Sequence, residues 1–197
     1  MESFQAALQE GADGFETDLR LLSDGVPVLF HDDEYDEVEV ESYRFGEIPK
    51  MEKLRDLERF AGKVHMCLEV KRSKWTDVLI DYVGQWQNIV VASFDHTLIE
   101  ELHRRKVAFP LGITLFGNIA GLADYAQRLG ATWVYPKYRY VDATMVDSCH
   151  ARGIRVVPWS PNREREWEQL RELGCDGVIT DFPGEAVAWL RGSAVAG

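Results

Sequence analysis

Short runs of β-branched and aromatic residues alternate with amphipathic stretches along most of the chain. From residue 64 onward six such runs recur at a spacing of about 22 residues, which is typical of a strand, a helix and two short loops. The runs span residues 64–71, 88–94, 110–116, 132–137, 154–159 and 177–182. Apolar residues at helical spacing lie between several of them and predict helices in 75–84, 97–105, 143–153 and 163–174. This repetition predicts an α/β fold with a parallel sheet, and its length favours a (β/α)₈ barrel.

The start of the chain departs from that repeat. GADGFETDL (11–19) reads as a seventh parallel strand, but a helical segment, ESFQAALQEGAD (2–13), precedes it where a barrel has a strand. We therefore expect a barrel without its first strand, either because the protein begins upstream or because it is a natural seven-unit form. No linker interrupts the chain, so residues 1–197 are predicted to form one domain.

A β-hairpin is predicted after the 11–19 strand, because Asp24-Gly25 lies between two apolar runs. A two-residue loop would pair Arg20 with Leu29 and Asp18 with His31, which places a histidine next to Asp18. The stretch that follows, 32–49, is acidic and has no clear period, and we expect it to form a loop over one end of the barrel.

Acidic residues end two of the predicted strands at even spacing. Glu16 and Asp18 share one strand face, as do Glu69 and Lys71, because strand side chains alternate. Three carboxylates converging at the carboxyl ends of barrel strands repel unless a cation lies among them, and oxygen ligands favour Mg²⁺ or Ca²⁺. The alternative is that these residues are scattered surface acids. Arg20 lies on the same face and is expected to pair with an acid.

Composition narrows the possible classes of function. The net charge of −11 argues against nucleic-acid binding, and no apolar run is long enough for a transmembrane helix. The chain starts without the pattern of a signal peptide. Three cysteines without CxxC spacing argue against a disulfide framework and favour a reducing, cytoplasmic location.

Four segments together resemble the glycerophosphodiester phosphodiesterase family. They are the 3–32 stretch SFQAALQEGADGFETDLRLLSDGVPVLFHD, the LEVK strand at 68–71, ASFD at 92–95 and ITDFP at 179–183. The first segment is long and specific, and the others follow in the expected order over nearly the whole chain. The resemblance implies a (β/α)₈ barrel that uses a divalent cation to hydrolyse glycerol phosphodiesters to glycerol 3-phosphate and an alcohol.

The resemblance also implies roles for individual residues. Glu16, Asp18 and Glu69 match the metal ligands, and His31 matches one of two acid/base histidines. The residues matching the substrate-binding groups are Lys71, near the phosphate, and Trp159, an aromatic that lines the pocket. The family's opening strand, which ends in His-Arg, has no counterpart after Met1, and the segment between His31 and Glu69 is short.

Three functions remain open on the sequence alone. The first is an active phosphodiesterase, impaired if the second histidine is truly absent, since such a group contributes about 10²–10⁴ in rate. The second is a non-catalytic protein that binds metal and a phosphorylated ligand. The third is a barrel remnant without a ligand. An open barrel also exposes strand edges, so a homo-oligomer is a further expectation.

Overall fold

The computed structural model describes residues 1–72 and 75–195. Helix α1 (Glu2–Gln9) opens the chain and packs Phe4 on Phe15 of the first strand, with ring centroids 4.3 Å apart. An eight-stranded sheet follows, in the spatial order β10-β9-β8-β7-β6-β1-β2-β5. Its strands are β1 (Gly14–Leu21), β2 (Pro27–Leu29), β5 (Glu52–Lys53), β6 (His65–Val70), β7 (Ile89–Ser93), β8 (Leu111–Leu115), β9 (Trp133–Pro136) and β10 (Arg155–Val156).

Six of these strands, β1 and β6 to β10, pair in parallel, which confirms the strand–helix repeat. Of the seven predicted parallel strands, the last is present only as a bridge between Ile179 and Trp159, and Trp159 in turn bridges to Lys137. β2 and β5 add antiparallel pairs beyond β1. The predicted α/β barrel-type architecture with a hairpin is therefore confirmed.

Helices cover the outer face of the parallel strands. They are α2 (Thr76–Val83), α3 (His96–Arg104), α4 (Leu122–Arg128), α5 (Ala143–His150), α6 (Glu164–Glu172) and α7 (Pro183–Val195). Leu68, Val91 and Ile113 of the sheet and Ile99 and Leu102 of α3 are fully buried between the two layers. The alternate side chains face the inside, where Ala92 and Tyr135 form a second, smaller cluster. This alternation fixes which residues reach the mouth of the barrel.

The hairpin after β1 has a different register from the predicted one. Leu22 bonds Val26 (N···O 3.1 Å), so the loop has three residues, and Arg20 stands opposite Val28 rather than Leu29. Gly25 lies at φ 78°, as a three-residue loop ending in a left-handed residue requires. Ser23 lies in this loop, where its amide and hydroxyl both donate to the Tyr43 carbonyl, each at 2.9 Å.

The acidic 32–49 stretch is more ordered than the predicted loop. It contains a small hairpin of β3 (Glu34–Tyr35) and β4 (Val38–Glu39), followed by a 3₁₀ turn at Val40–Ser42. Val40 and Ile48 are buried against Leu22 and Val28. The stretch therefore forms a packed cap with its own apolar centre, beside the carboxyl end of β1.

Candidate active site

The carboxylates predicted from strand spacing do converge. β1 and β6 pair in parallel with Asp18 opposite Glu69, and Glu16 precedes Asp18 by two residues on the same face. One carboxylate oxygen from each of Glu16, Asp18 and Glu69 lies within 4.8 Å of the other two. The alternative of scattered surface acids is wrong, because Glu69 is buried and the other two are half-buried.

Lys71 lies at the same strand end and bridges two of the three acids. Its ammonium contacts Asp18 Oδ1 at 2.6 Å and also donates to Glu69 Oε1. This cation offsets part of the repulsion among the carboxylates. Burial lowers the pKa of Lys71, but the hydrogen bonds to Asp18 and Glu69 and their negative charges outweigh it and raise the pKa above its ordinary value.

Glu16 carries the most perturbed carboxyl group of the cluster. Burial, together with the charges of Asp18 and Glu69, raises its pKa from 4.5 to about 8. Its Oε1 atom is buried and has no hydrogen-bond partner in the described part of the chain. Burial also raises the pKa of Glu69, against the opposing effect of Lys71.

The carboxylate cluster fits a divalent cation. An orphaned buried oxygen is costly unless a ligand satisfies it, and three hard oxygen donors are the set that Mg²⁺ and Ca²⁺ take. The residues that would hold the ion are Glu16, Asp18 and Glu69. The cation would also lower the pKa of Glu16 by stabilising its ionised form.

His31 follows β2 but does not join the carboxylate cluster. Because of the shifted register, it is Phe30 whose amide bonds the Asp18 carbonyl, at 3.0 Å, so the predicted pairing of Asp18 with His31 is wrong. The His31 side chain is 79% exposed, and its Nδ1 lies 2.8 Å from Asp32 Oδ1. An ionised carboxylate only accepts, so this contact directs the Nδ1 proton to Asp32 and leaves Nε2 free for proton transfer.

Arg20 fixes the main chain around His31. It is 1% exposed and donates to the carbonyl oxygens of Phe30 (3.2 Å) and His31 (3.0 Å). Its other bonds reach Asp33 and Glu41, each at 2.6 Å, so the expected pairing with an acid is confirmed. The guanidinium also lowers the pKa of Asp33. Sequence reasoning predicted an acid partner for Arg20 but not this tie to the histidine segment.

Trp159 follows β10 at the mouth of the barrel, near the end of the sheet that is farthest from β1. Its indole Nε1 donates to the Tyr135 carbonyl at 2.8 Å, and its ring meets those of Phe94 and Phe116 at centroid distances of 5.7 Å. The ring therefore lies at the barrel mouth, and its role in lining a substrate pocket stays a prediction. Phe94 meets the Trp159 ring and faces the same space.

A family model described as the glycerophosphoryl diester phosphodiesterase family matches residues 1–65 and 47–185. The chain belongs to this family. The expected class of enzyme, a phosphoric diester hydrolase, is thereby confirmed at the level of the family. The three carboxylates project from β1 and β6 of this family's barrel.

Individual relatives agree with the family match. The chain is 23% identical to a glycerophosphodiester phosphodiesterase of Caldanaerobacter subterraneus, over 96% of this chain and 90% of that protein. The crystal structure of the Thermotoga maritima glycerophosphodiester phosphodiesterase superposes with a TM-score of 0.81 at 22% identity, covering 95% of this chain and 89% of that one. An Oleispira antarctica phosphodiesterase in complex with sn-glycerol-3-phosphate gives a TM-score of 0.86 at 17% identity, covering 96% and 89%. These structural likenesses show a shared fold.

Proposed function

We propose that the protein is a metal-dependent glycerophosphodiester phosphodiesterase that releases glycerol 3-phosphate and an alcohol. The observation that carries the proposal is the approach of Glu16, Asp18 and Glu69 to within 4.8 Å, with a buried oxygen of Glu16 left unpartnered among the described residues. Mg²⁺ or Ca²⁺ is the proposed ion, since all three donors are carboxylate oxygens.

The bound cation supplies neutralisation of the phosphodiester charge and polarisation of its oxygens. Lys71 adds a positive charge beside the carboxylates and can donate a hydrogen bond to a phosphate oxygen. His31, oriented by Asp32, is proposed as a proton-transfer group through Nε2. Trp159 is proposed to bind substrate at the opposite rim of the mouth.

The remaining expectations stay predictions. No helix in the described ranges has both the length and the apolar character needed to cross a bilayer. Cys67, Cys149 and Cys175 are free thiols, in keeping with the predicted cytoplasmic location. A single domain over 1–197, of which 73–74 and 196–197 lie outside the described residues, is also a prediction, as are the absence of a nucleic-acid partner and a homo-oligomeric state.

The test is release of glycerol 3-phosphate from glycerophosphocholine, with Mg²⁺, with Ca²⁺ and with a chelator. We expect turnover that needs the ion and is lost in Glu69→Gln, while the matched control Glu58→Gln, at an exposed acid, retains it. Ion binding without turnover in the wild type would instead support the non-catalytic binding protein. Absence of both would support a remnant without a ligand.

A further inference from the structure

Aromatic side chains and one lysine line the rim of the barrel away from the carboxylates. Phe94 follows β7, Phe116 follows β8 and Lys137 follows β9, each at the carboxyl end of its strand. Trp159 bridges between Lys137 and Ile179. We call this group of four side chains the aromatic rim: Phe94, Phe116, Lys137 and Trp159.

The aromatic rim is continuous with the carboxylate cluster. Glu69 pairs with Ala92, and Phe94 lies two residues beyond Ala92 on the same face of the sheet. Its ring meets Trp159 edge to face at 5.7 Å, and Trp159 reaches Lys137. A substrate whose phosphate lies at the carboxylates can therefore extend its alcohol along these rings.

The rings remain open to a ligand. Phe94 is 45% exposed and Phe116 is 64% exposed, although both rings contact Trp159. Large apolar side chains exposed side by side at the mouth of a site are typical of ligand contact.

Lys137 differs from the other lysine of the mouth in its charge partners. Lys71 contacts Asp18 and Glu69, whereas the ion pairs of the described residues include none with Lys137. The Lys137 ammonium instead lies 4.4 Å from the centroid of the Trp159 ring. Its side chain points inward because Trp133 and Tyr135, on the same face of β9, belong to the interior cluster.

The charges of the carboxylate cluster balance without this lysine. Three ionised carboxylates and Lys71 sum to two negative charges, which a divalent cation cancels. The positive charge of Lys137 then acts on whatever group lies over the aromatic rim. Aromatic faces attract a quaternary ammonium, but here a cation already occupies the face of Trp159 and repels a second one.

We propose that Lys137 is a specificity-determining residue and that the aromatic rim binds an alcohol moiety carrying a negatively charged group. This inference rests on the proposed phosphodiesterase function and names its substrate class. The carbon chain of the alcohol lies on the exposed rings, and its anionic end pairs with the ammonium of Lys137. A cationic alcohol such as choline is disfavoured.

The experiment compares three glycerol phosphodiesters that differ in the charge of the alcohol. They are the esters of 3-hydroxypropanoate (anionic), 3,3-dimethylbutanol (neutral) and choline, whose trimethylammonium group has the shape of the dimethylbutyl end. We expect kcat/KM to fall in that order in the wild type. Each step should be about threefold to tenfold, the size of a partly exposed charge interaction, and should shrink with added salt.

Variants at Lys137 separate charge from packing. Lys137→Glu should reverse the preference between the anionic and the choline ester, Lys137→Met should flatten it, and Lys137→Arg should keep it. Lys106→Glu is the matched control, because it makes the same change of net charge at an exposed lysine preceding β8, at the opposite end of that strand.

Two failures are distinguishable. If the wild type cleaves none of the three esters, the proposed function fails and the inference falls with it. If it cleaves them but Lys137→Glu ranks them as the wild type does, the phosphodiesterase stands and the role of Lys137 is overturned. An equal shift in Lys106→Glu would also overturn it, because the effect would then come from net charge.

Discussion

The carboxylate cluster and the histidine segment both lie beside Asp18 of β1, but the protein holds them in different ways. Glu16, Asp18 and Glu69 project from paired parallel strands, whose register places them within 4.8 Å of one another. His31 lies beyond the last residue of β2, is 79% exposed, and depends on Arg20 for the position of its main chain. Strand pairing thus supports the proposed ligands directly, whereas the proposed proton-transfer group depends on a single buried side chain.

The largest expected loss of activity comes from removing one carboxylate of the cluster held by the paired strands. Asp18→Asn keeps the shape of the side chain but removes one negative ligand, and metal catalysis contributes several kcal/mol, so activity should fall by about 10³–10⁵. Initial rates of glycerol 3-phosphate release at saturating Mg²⁺ measure the loss. A fall of less than tenfold would mean that Asp18 does not hold the catalytic ion.

Replacing His31 tests the histidine segment, the second region of this comparison. His31→Gln should lower kcat by a factor of about 10²–10⁴. The free energy of unfolding should stay within about 1 kcal/mol of the wild-type value, because the ring is exposed and buries little surface. Rates and a denaturant titration on the same preparation give both values. Asp32→Asn should cost less, since it only orients the ring. An unchanged kcat in His31→Gln would remove this residue from the mechanism.

The pKa of Glu16 links the cluster to pH. Its folded-state value of about 8 lies above the ordinary 4.5, so its contribution to the stability of the metal-free protein is present in acid and is lost as the pH rises through about 8. A divalent ion needs the ionised form. Ion affinity should therefore rise by up to about tenfold per pH unit until about pH 8 and then level off.

Titration calorimetry with Mg²⁺ or Ca²⁺ across this pH range, in buffers of different ionisation enthalpy, measures both the affinity and the protons released. Glu16→Gln should reduce the slope. If the affinity were flat with pH in the wild type, Glu16 would be ionised before the ion arrives, and its burial would not control binding.

A substitution of Arg20 weakens the hydrogen bonds that hold the main chain of the histidine segment, and it leaves the His31 side chain and the carboxylate cluster unchanged. Arg20→Met removes charged hydrogen bonds to two carbonyls and two carboxylates and should cost about 2–3 kcal/mol of unfolding free energy. Arg72→Met is the control, since Arg72 forms only partly exposed ion pairs worth under about 1 kcal/mol. Equal losses in the two variants, by urea unfolding, would contradict the special role of Arg20.

The smallest expected effect is at the loop that sets the register. Gly25 has φ 78°, and among the described residues other than Gly25 and its two chain neighbours, no atom lies within 4 Å of the position that a Cβ would take there. Gly25→Ala therefore tests backbone conformation alone and should cost about 1 kcal/mol. Urea unfolding measures the change, and ion affinity should not move, because β1 and β6 are paired without this loop. A loss of ion affinity would show that the two regions are coupled.

The same contrast explains what the sequence could and could not predict. Side chains that alternate along Phe15-Glu16-Thr17-Asp18 and Leu68-Glu69 revealed the cluster, because parallel strands bring matching positions together. The predicted position of His31 was wrong because the loop length depends on bonds from Ser23 and Asp24 to residues some 20 positions away, at Tyr43 and Phe45. No local pattern carries such contacts.

The cap shows a second limit of sequence reasoning. Its strands have two residues each, which is too short for any period to be visible, and its turn places Asp36 and Glu37 at positive φ, where glycine or asparagine is the usual signal. The final predicted strand, in 177–182, likewise forms only the bridge at Ile179. Long apolar runs were predictable, whereas elements held by tertiary contacts were not.

The most direct test of the central claim is a crystal structure with Mn²⁺, located by its anomalous scattering. We expect one strong peak within coordination distance, about 2–2.5 Å, of oxygens from Glu16, Asp18 and Glu69, with Lys71 moved off at least one carboxylate. A peak elsewhere, or a cluster in which Lys71 still bridges Asp18 and Glu69 with no ion present at saturating Mn²⁺, would contradict it.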